Sequence, residues 1–168
     1  MNFEPILTAA PIIQIHIAFA LLALLTGPIA LFRARRDRLH KVLGYVASVA
    51  MLGLAWSGLG IESSFPIIAG FGPIHLFCVL ATIGTGDALY QIRRGDVARH
   101  IAAMQSVWFG ALGVTGLITL LPGRVLNRAL FGAPSNWGFA VIAVGFLGLW
   151  ALWQWQQRRL PPLKTRSL

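Results

Sequence analysis

The stretches IHIAFALLALLTG (15–27) and IHLFCVLATIGTG (74–86) follow one plan. Each opens on a histidine held between two aliphatic residues, stays apolar, and closes on Thr-Gly. With His16 set on His75, Thr26-Gly27 falls on Thr85-Gly86 and Asp37 falls on Asp96. One residue later in register, His40 pairs with His100, and basic residues precede both. Histidine, Thr-Gly, aspartate and histidine recur in the same order. The pattern predicts a duplicated helical hairpin, with repeat one at 11–61 and repeat two at 73–121.

Composition says which solvent the hairpins meet. The 168 residues are 57% hydrophobic and 11% charged, and mean hydropathy is +0.72. A soluble domain carries about twice that share of charge. An all-α integral membrane protein is therefore expected, as a single domain over 1–168. Five apolar runs, near 11–32, 41–61, 73–92, 101–121 and 137–156, approach the roughly 20 residues a bilayer core requires. They are continuous rather than alternating, so helices are expected over a barrel. Residues 122–136 read as an outer loop, 137–157 as an extra helix and 158–168 as a basic cytoplasmic tail.

The net charge is +9, yet the basic residues cluster between the apolar runs. Five lie in RARRDRLHK (33–41), three in RRGDVAR (93–99) and four in the tail, against only Arg124 and Arg128 elsewhere. The positive-inside rule then puts the N-terminus outside and the C-terminus in the cytoplasm. The same clustering speaks for topology and against nucleic acid as the partner. Both hairpins would start and end outside, so the repeat is parallel, with a pseudo-two-fold axis along the membrane normal. Cys78 is the single cysteine, which excludes an intramolecular disulfide and a CxxC motif. The N-terminus, MNFEPILTAA, lacks the basic segment of a cleaved signal peptide.

The repeat uses all four histidines. His16 and His75 become equivalents near the outer face, and His40 and His100 near the inner face. Seventeen residues separate His16 from Arg33, about 26 Å of helix, so the two pairs should lie roughly 20–25 Å apart along the normal. Small residues follow the histidines at helical steps: Ala20, Ala23, Gly27 and Ala30; Thr82 and Gly86 after Val79; Gly44, Ala47 and Ser48. Such a stripe permits close helix approach, or leaves room for a flat cofactor.

Imidazole binds zinc, copper, iron and nickel. A zinc site wants three or four protein ligands, and each leaflet offers two. Haem supplies four equatorial nitrogens itself, so two opposed histidines complete the iron. The expectation is two b-type haems with His16, His75, His40 and His100 as axial ligands to the haem iron. Arg36 and Arg99 would serve propionates on the inner side, and Arg124 on the outer side. Asp87, a carboxylate inside the third span, is a candidate proton relay, or a partner of Arg93 or Arg94. Asp37 and Asp96 read as helix N-caps.

The stretches GFGPIHL (70–76), RRGDVARHIAAM (93–104) and LLPGR (120–124) resemble an uncharacterised family of small bacterial predicted membrane proteins, over roughly residues 12–132. That resemblance implies the bacterial inner (cytoplasmic) membrane, with a multi-pass chain. The histidine plan is also similar to that of the cytochrome b561 family. There, alternate helices of a four-helix core hold two haems, and electrons cross the membrane from ascorbate or quinol to an acceptor. Those proteins have six helices with the ligand helices in the middle, whereas here the ligand helices come first.

The expected function is transmembrane electron transfer, which would make the chain a transmembrane oxidoreductase, with a quinol or a small reductant as donor. Two alternatives stand beside it. One is a divalent-metal binding or transport protein. The other is a non-catalytic accessory subunit of a larger membrane complex, its histidines serving as interhelical hydrogen-bond partners. The fifth apolar run has no repeat partner. Its Trp150, Trp153 and Trp155 read as an interfacial anchor, or as a contact with a second copy or a larger complex.

Overall fold

The computed structural model describes residues 3–33, 35–63, 66–132 and 135–159. A single turn, α1 (Glu4–Leu7), precedes four long helices: α2 (Pro11–Phe32), α3 (Arg38–Leu59), α4 (Ile74–Arg93) and α5 (Val97–Ile118). A short α6 (Val125–Phe131) and a long α7 (Trp137–Arg159) follow. Among the described residues there is no strand, only an isolated bridge between Ile68 and Phe71 in the connection from α3 to α4. Most of the basic tail, from residue 160 on, lies outside the described residues.

The apolar runs and the helices coincide, with informative shifts at the ends. α3 and α5 begin at Arg38 and Val97, a few residues earlier than hydropathy suggests. The reason is capping. The Asp37 carboxylate accepts from the His40 N–H at 3.1 Å, and the Asp96 carboxylate from the Arg99 N–H at 3.0 Å. An acidic N-cap satisfies otherwise orphaned amides. It also places His40 and His100 within the first turns rather than ahead of them.

Within α5, Ser106–Val114 is wound as a π-helix. Hydropathy carries no trace of this, because the run is apolar under either winding. α5 stops at Ile118, short of 121, as the chain turns through Gly123 at φ +88°.

Among the described residues, four helices are long and apolar enough to cross a membrane: α2, α3, α5 and α7. α4 falls outside that set, although its 20 residues extend about 30 Å. His75, Thr82, Thr85, Asp87 and Gln91 dilute its hydropathy.

Neighbours in sequence are neighbours in space. α2 packs along α3, α3 along α4, and α4 along α5, while α2 and α5 touch sparsely. Short connections make such neighbours antiparallel. The four helices thus form an incomplete ring in which α2 faces α4, and α3 faces α5, across the interior.

Small residues fill that interior: Ala23, Ala50, Ala55 and Ala81, with Met51, Leu54, Val107 and Leu112. Between lipid-embedded helices, close backbone approach replaces the hydrophobic drive. Gly53 shows how close. A Cβ there would sit 2.6 Å from the Phe19 ring. Gly53→Val is expected to cost about 1–3 kcal/mol by overpacking, read as a lower melting temperature in detergent.

α7 leans on the second half of α5, with Gly145 against Leu117. Phe32 at the end of α2 ties α7 in, its ring 5.9 Å from Trp155 and 6.1 Å from Trp108. Most other apolar side chains of α7 are exposed, Trp137, Leu147 and Trp150 among them.

The far end is organised by Asn127 of α6, whose exposure is 0%. Its amide donates to the Leu120 and Ser135 carbonyls at 2.8 and 3.0 Å, and its oxygen accepts from the Ser135 N–H at 3.0 Å. Gly138 completes the joint, because a Cβ there would lie 2.1 Å from the Leu120 oxygen. α6, within the stretch expected as an outer loop, packs against α1.

Candidate functional site

The interior ring sorts the histidines. His16 on α2 and His75 on α4 belong to one end, on helices that face each other. His40 on α3 and His100 on α5 belong to the other end, also on facing helices.

At the His40/His100 end the two rings are held alike. His40 Nδ1 lies 3.1 Å from the Ala30 carbonyl, near the end of α2. His100 Nδ1 lies 2.9 Å from the Ala88 carbonyl, near the end of α4. A carbonyl can only accept, so each Nδ1 carries a proton, and in the neutral ring this tautomer leaves the lone pair on Nε2. A metal-binding histidine characteristically donates its other N–H to a carbonyl or carboxylate in this way, which fixes tautomer and ring plane. The arrangement survives the one-residue slip in the repeat. His40 is three residues past its cap and His100 four, yet each reaches the carbonyl of the preceding helix.

The His16/His75 end is unlike it. His16 Nδ1 meets the Ser57 hydroxyl at 3.1 Å, and that hydroxyl donates onward to the Gly53 carbonyl at 2.7 Å. With the hydroxyl proton so committed, His16 Nδ1 is the donor to Ser57, and the ring is also hydrogen-bonded to the Leu54 backbone. His75 is 6% exposed and bonded on both sides. Its Nε2 is 3.0 Å from the Ile61 carbonyl, and its Nδ1 accepts from the Gly72 N–H at 3.1 Å. Phe71 packs on the ring with centroids 4.7 Å apart. His75 thus ties residues 61–72 to the head of α4. The Gly72 carbonyl also lies 3.3 Å from Nδ1. The opposite tautomer is therefore reachable, but its Nε2 lone pair would face the Ile61 oxygen.

A direct consequence concerns this loop. His75→Ala orphans the Ile61 carbonyl and the Gly72 amide, about 1–3 kcal/mol for each group that stays buried. Amide hydrogen exchange at Ile61 and in residues 67–72 is expected to rise about tenfold or more, the factor matching some 1.4 kcal/mol, with little change in α5.

The small-residue stripes are filled at Gly27 and open at Gly44 and Gly86, where a Cβ would meet nothing within 4 Å. Gly27 abuts Trp108, with 2.8 Å between its would-be Cβ and the ring. Gly58 lies against His16 and the Cys78 sulfur. On α4 the buried face runs through His75, Ala81, Thr85 and Ala88, while Val79 and Gly86, expected on the histidine stripe, are exposed. The helix turns about 100° per residue, and the inward stripe follows Thr85 rather than Gly86. Thr85 is 1% exposed, and its hydroxyl has no hydrogen-bond partner among the described residues.

The charged candidates are more scattered. Arg36 is exposed. Arg99 pairs with Asp96 at 3.4 Å and keeps a largely exposed side chain. Arg124 forms the N-cap of α6, at the opposite end. Asp87 is exposed on the side of α4 and accepts from Gln91 at 2.9 Å, rather than from Arg93 or Arg94. Arg94 instead reaches the Tyr90 hydroxyl at 2.9 Å. No group of three or more His, Cys, Asp or Glu side chains suited to a metal ion occurs among the described residues.

Arg33 and Asp37 close the first connecting loop through a two-pronged ion pair. With the guanidinium and the His40 amide beside it, the Asp37 carboxyl is held below the usual carboxylate range. A carboxylate with a lowered folded value stabilises the fold above its unfolded value, near 3.9, and loses that contribution as pH falls. Between pH 5 and pH 3 the melting temperature should fall, and Asp37→Asn should flatten the decline.

A family model described as a predicted membrane protein, DUF2306, matches residues 13–153. The chain belongs to this family. The matched region holds all four histidines and runs well into α7, so the last helix is part of the family's common body rather than an appendage. No curated protein and no solved structure matches the DUF2306 chain.

Two features lie beyond the reach of hydropathy and motif spacing. One is the π-wound half-helix. The other is the asymmetry between the doubly bonded His75 and the singly bonded His40 and His100. The sequence carries one hint of the latter: Gly72-Pro73 before His75 has no counterpart before His16.

Proposed function

We propose that this DUF2306 protein carries electrons across the membrane on b-type haem, with α4 as a fifth span completing the histidine ring. The observation that carries the reading is the matched pair His40 and His100. They come from facing helices, each with Nδ1 on a backbone carbonyl and Nε2 free to bind. When bound, haem iron held by two imidazoles supplies a one-electron carrier whose potential the axial ligands set. The fit differs by end. The His40/His100 pair has the donor set haem needs. At the other end His16 is tied to Ser57 and the Leu54 backbone, and His75 would acquire the donor set once the Ile61 carbonyl is displaced and Nδ1–H turns to the Gly72 oxygen.

The remaining residues have plain roles in this reading. The Ala30 and Ala88 carbonyls orient the two imidazoles and raise their basicity. Asp37 and Asp96 fix the turns on which they ride. Arg36 and Arg99 supply positive charge at the cytoplasmic face that the positive-inside rule assigns to this end. Arg124 would do the same outside. The duplicated hairpin gives one histidine pair per leaflet, in a multi-pass protein of the bacterial cytoplasmic membrane.

The function is tested in sealed proteoliposomes loaded with ferricyanide, with a reductant outside. Haem-loaded wild-type protein should bleach the internal ferricyanide, and His100→Ala protein should not. Equal, slow bleaching with both proteins would sink the electron-transfer reading. It would then favour the accessory-subunit alternative, in which histidines serve as hydrogen-bond partners, as His75 does.

A further inference from the structure

We propose that the groove between α5 and α7 binds the head ring of a membrane-dissolved quinone. It has a volume of about 450 Å³ and is lined by Gln105, Ser106, Phe109 and Gly110 of α5, with Trp153 and Gln157 of α7. Volumes of this order suit a small ring ligand.

Gln105 is the telling residue. It is 5% exposed, and its amide nitrogen has no hydrogen-bond partner among the described residues. Its oxygen meets the Gln157 amide at a long 3.5 Å. A buried amide without a partner in apolar surroundings is unfavourable and calls for an explanation. A carbonyl acceptor entering the groove provides one. Eight residues past Val97, Gln105 lies about 12 Å in from the start of α5, a depth that lipid-soluble molecules reach and solutes do not.

An independent feature coincides with it. Ser106, Phe109 and Gly110 lie in the π-wound segment. π-winding is uncommon and concentrates at functional sites.

The chemistry of the walls selects the ligand. None of the lining residues is charged, so a phosphate headgroup finds no counter-charge. Phe109 and Trp153 offer two flat apolar surfaces, and Gln105, Gln157 and Ser106 offer neutral hydrogen bonds. Ser106, Trp153 and Gln157 are exposed toward the side of the bundle, which leaves a lateral way in. A neutral, planar ring with carbonyl acceptors fits these walls. Binding stands on the groove alone; a role as electron donor or acceptor rests on the haem reading.

The test is calorimetric titration of the full-length protein in detergent with ubiquinone-1. Wild-type protein should bind saturably. Gln105→Leu should weaken binding at least tenfold, and so should Gly110→Leu, where a new Cβ meets nothing within 4 Å and the longer side chain fills the groove. Both variants should keep the wild-type melting temperature and haem content. Absence of saturable binding, or unchanged affinity in both variants, overturns the proposal. So does displacement of the quinone by an equimolar short-chain phosphatidylglycerol, which would make the groove a lipid site. Haem content is read separately. Haem without quinone binding defeats the groove and spares the electron-transfer reading, and quinone binding without haem does the reverse.

Discussion

His40→Ala and His100→Ala are each expected to remove the same haem, leaving the protein folded but with one haem fewer per chain. On the proposed reading both imidazoles would hold the same haem, so loss of either would leave it without one of its two protein ligands. Alanine also frees the Ala30 or Ala88 carbonyl, so a fall in stability could imitate a lost ligand. His100→Gln separates the two effects. Glutamine can still donate to the Ala88 carbonyl but offers no imidazole nitrogen. It should restore the melting temperature and leave the haem absent, as read by the pyridine haemochrome assay. Haem retained at full stoichiometry in both alanine variants would move the ligands elsewhere.

Asn127→Leu should produce the largest loss of stability outside the histidines. The leucine keeps the branched shape on a larger side chain and removes three hydrogen bonds at a position with 0% exposure. It orphans the Leu120 and Ser135 carbonyls and the Ser135 amide, at about 1–3 kcal/mol for each group that stays dry. Gly138 allows no compensating shift, because its backbone is already pressed on the Leu120 oxygen. The expected signature is a melting temperature lowered by several degrees, or loss of folded protein in detergent. Proteolysis should open the region around this joint first, since Asn127 ties α6 to Leu120 after α5 and to Ser135 ahead of α7. A wild-type melting curve would show that the joint is redundant.

The sequence and the structure agree where one physical signal dominates. Apolar runs give the long helices because lipid leaves the backbone no alternative, and Asp37 and Asp96 give their starts because carboxylates cap amides. What was not legible depends on three-dimensional neighbours. Asp87 looks like an interior carboxylate in one dimension, yet α4 rotates it outward to Gln91. Gly27 looks like room for a cofactor, yet Trp108 fills the space. His75 looks like the twin of His16, but the loop ahead of it folds back to occupy both its nitrogens. Membership of DUF2306 supports the membrane architecture and leaves the chemistry to these side chains.

The most direct test of the haem reading is the difference spectrum, dithionite-reduced minus air-oxidised, of wild-type protein purified after haem-supplemented expression. A sharp α-band of low-spin b-type haem, lost on changing His40 or His100, is the predicted result. A colourless protein that is folded by its melting curve would contradict the account and leave the four histidines as hydrogen-bond partners between helices.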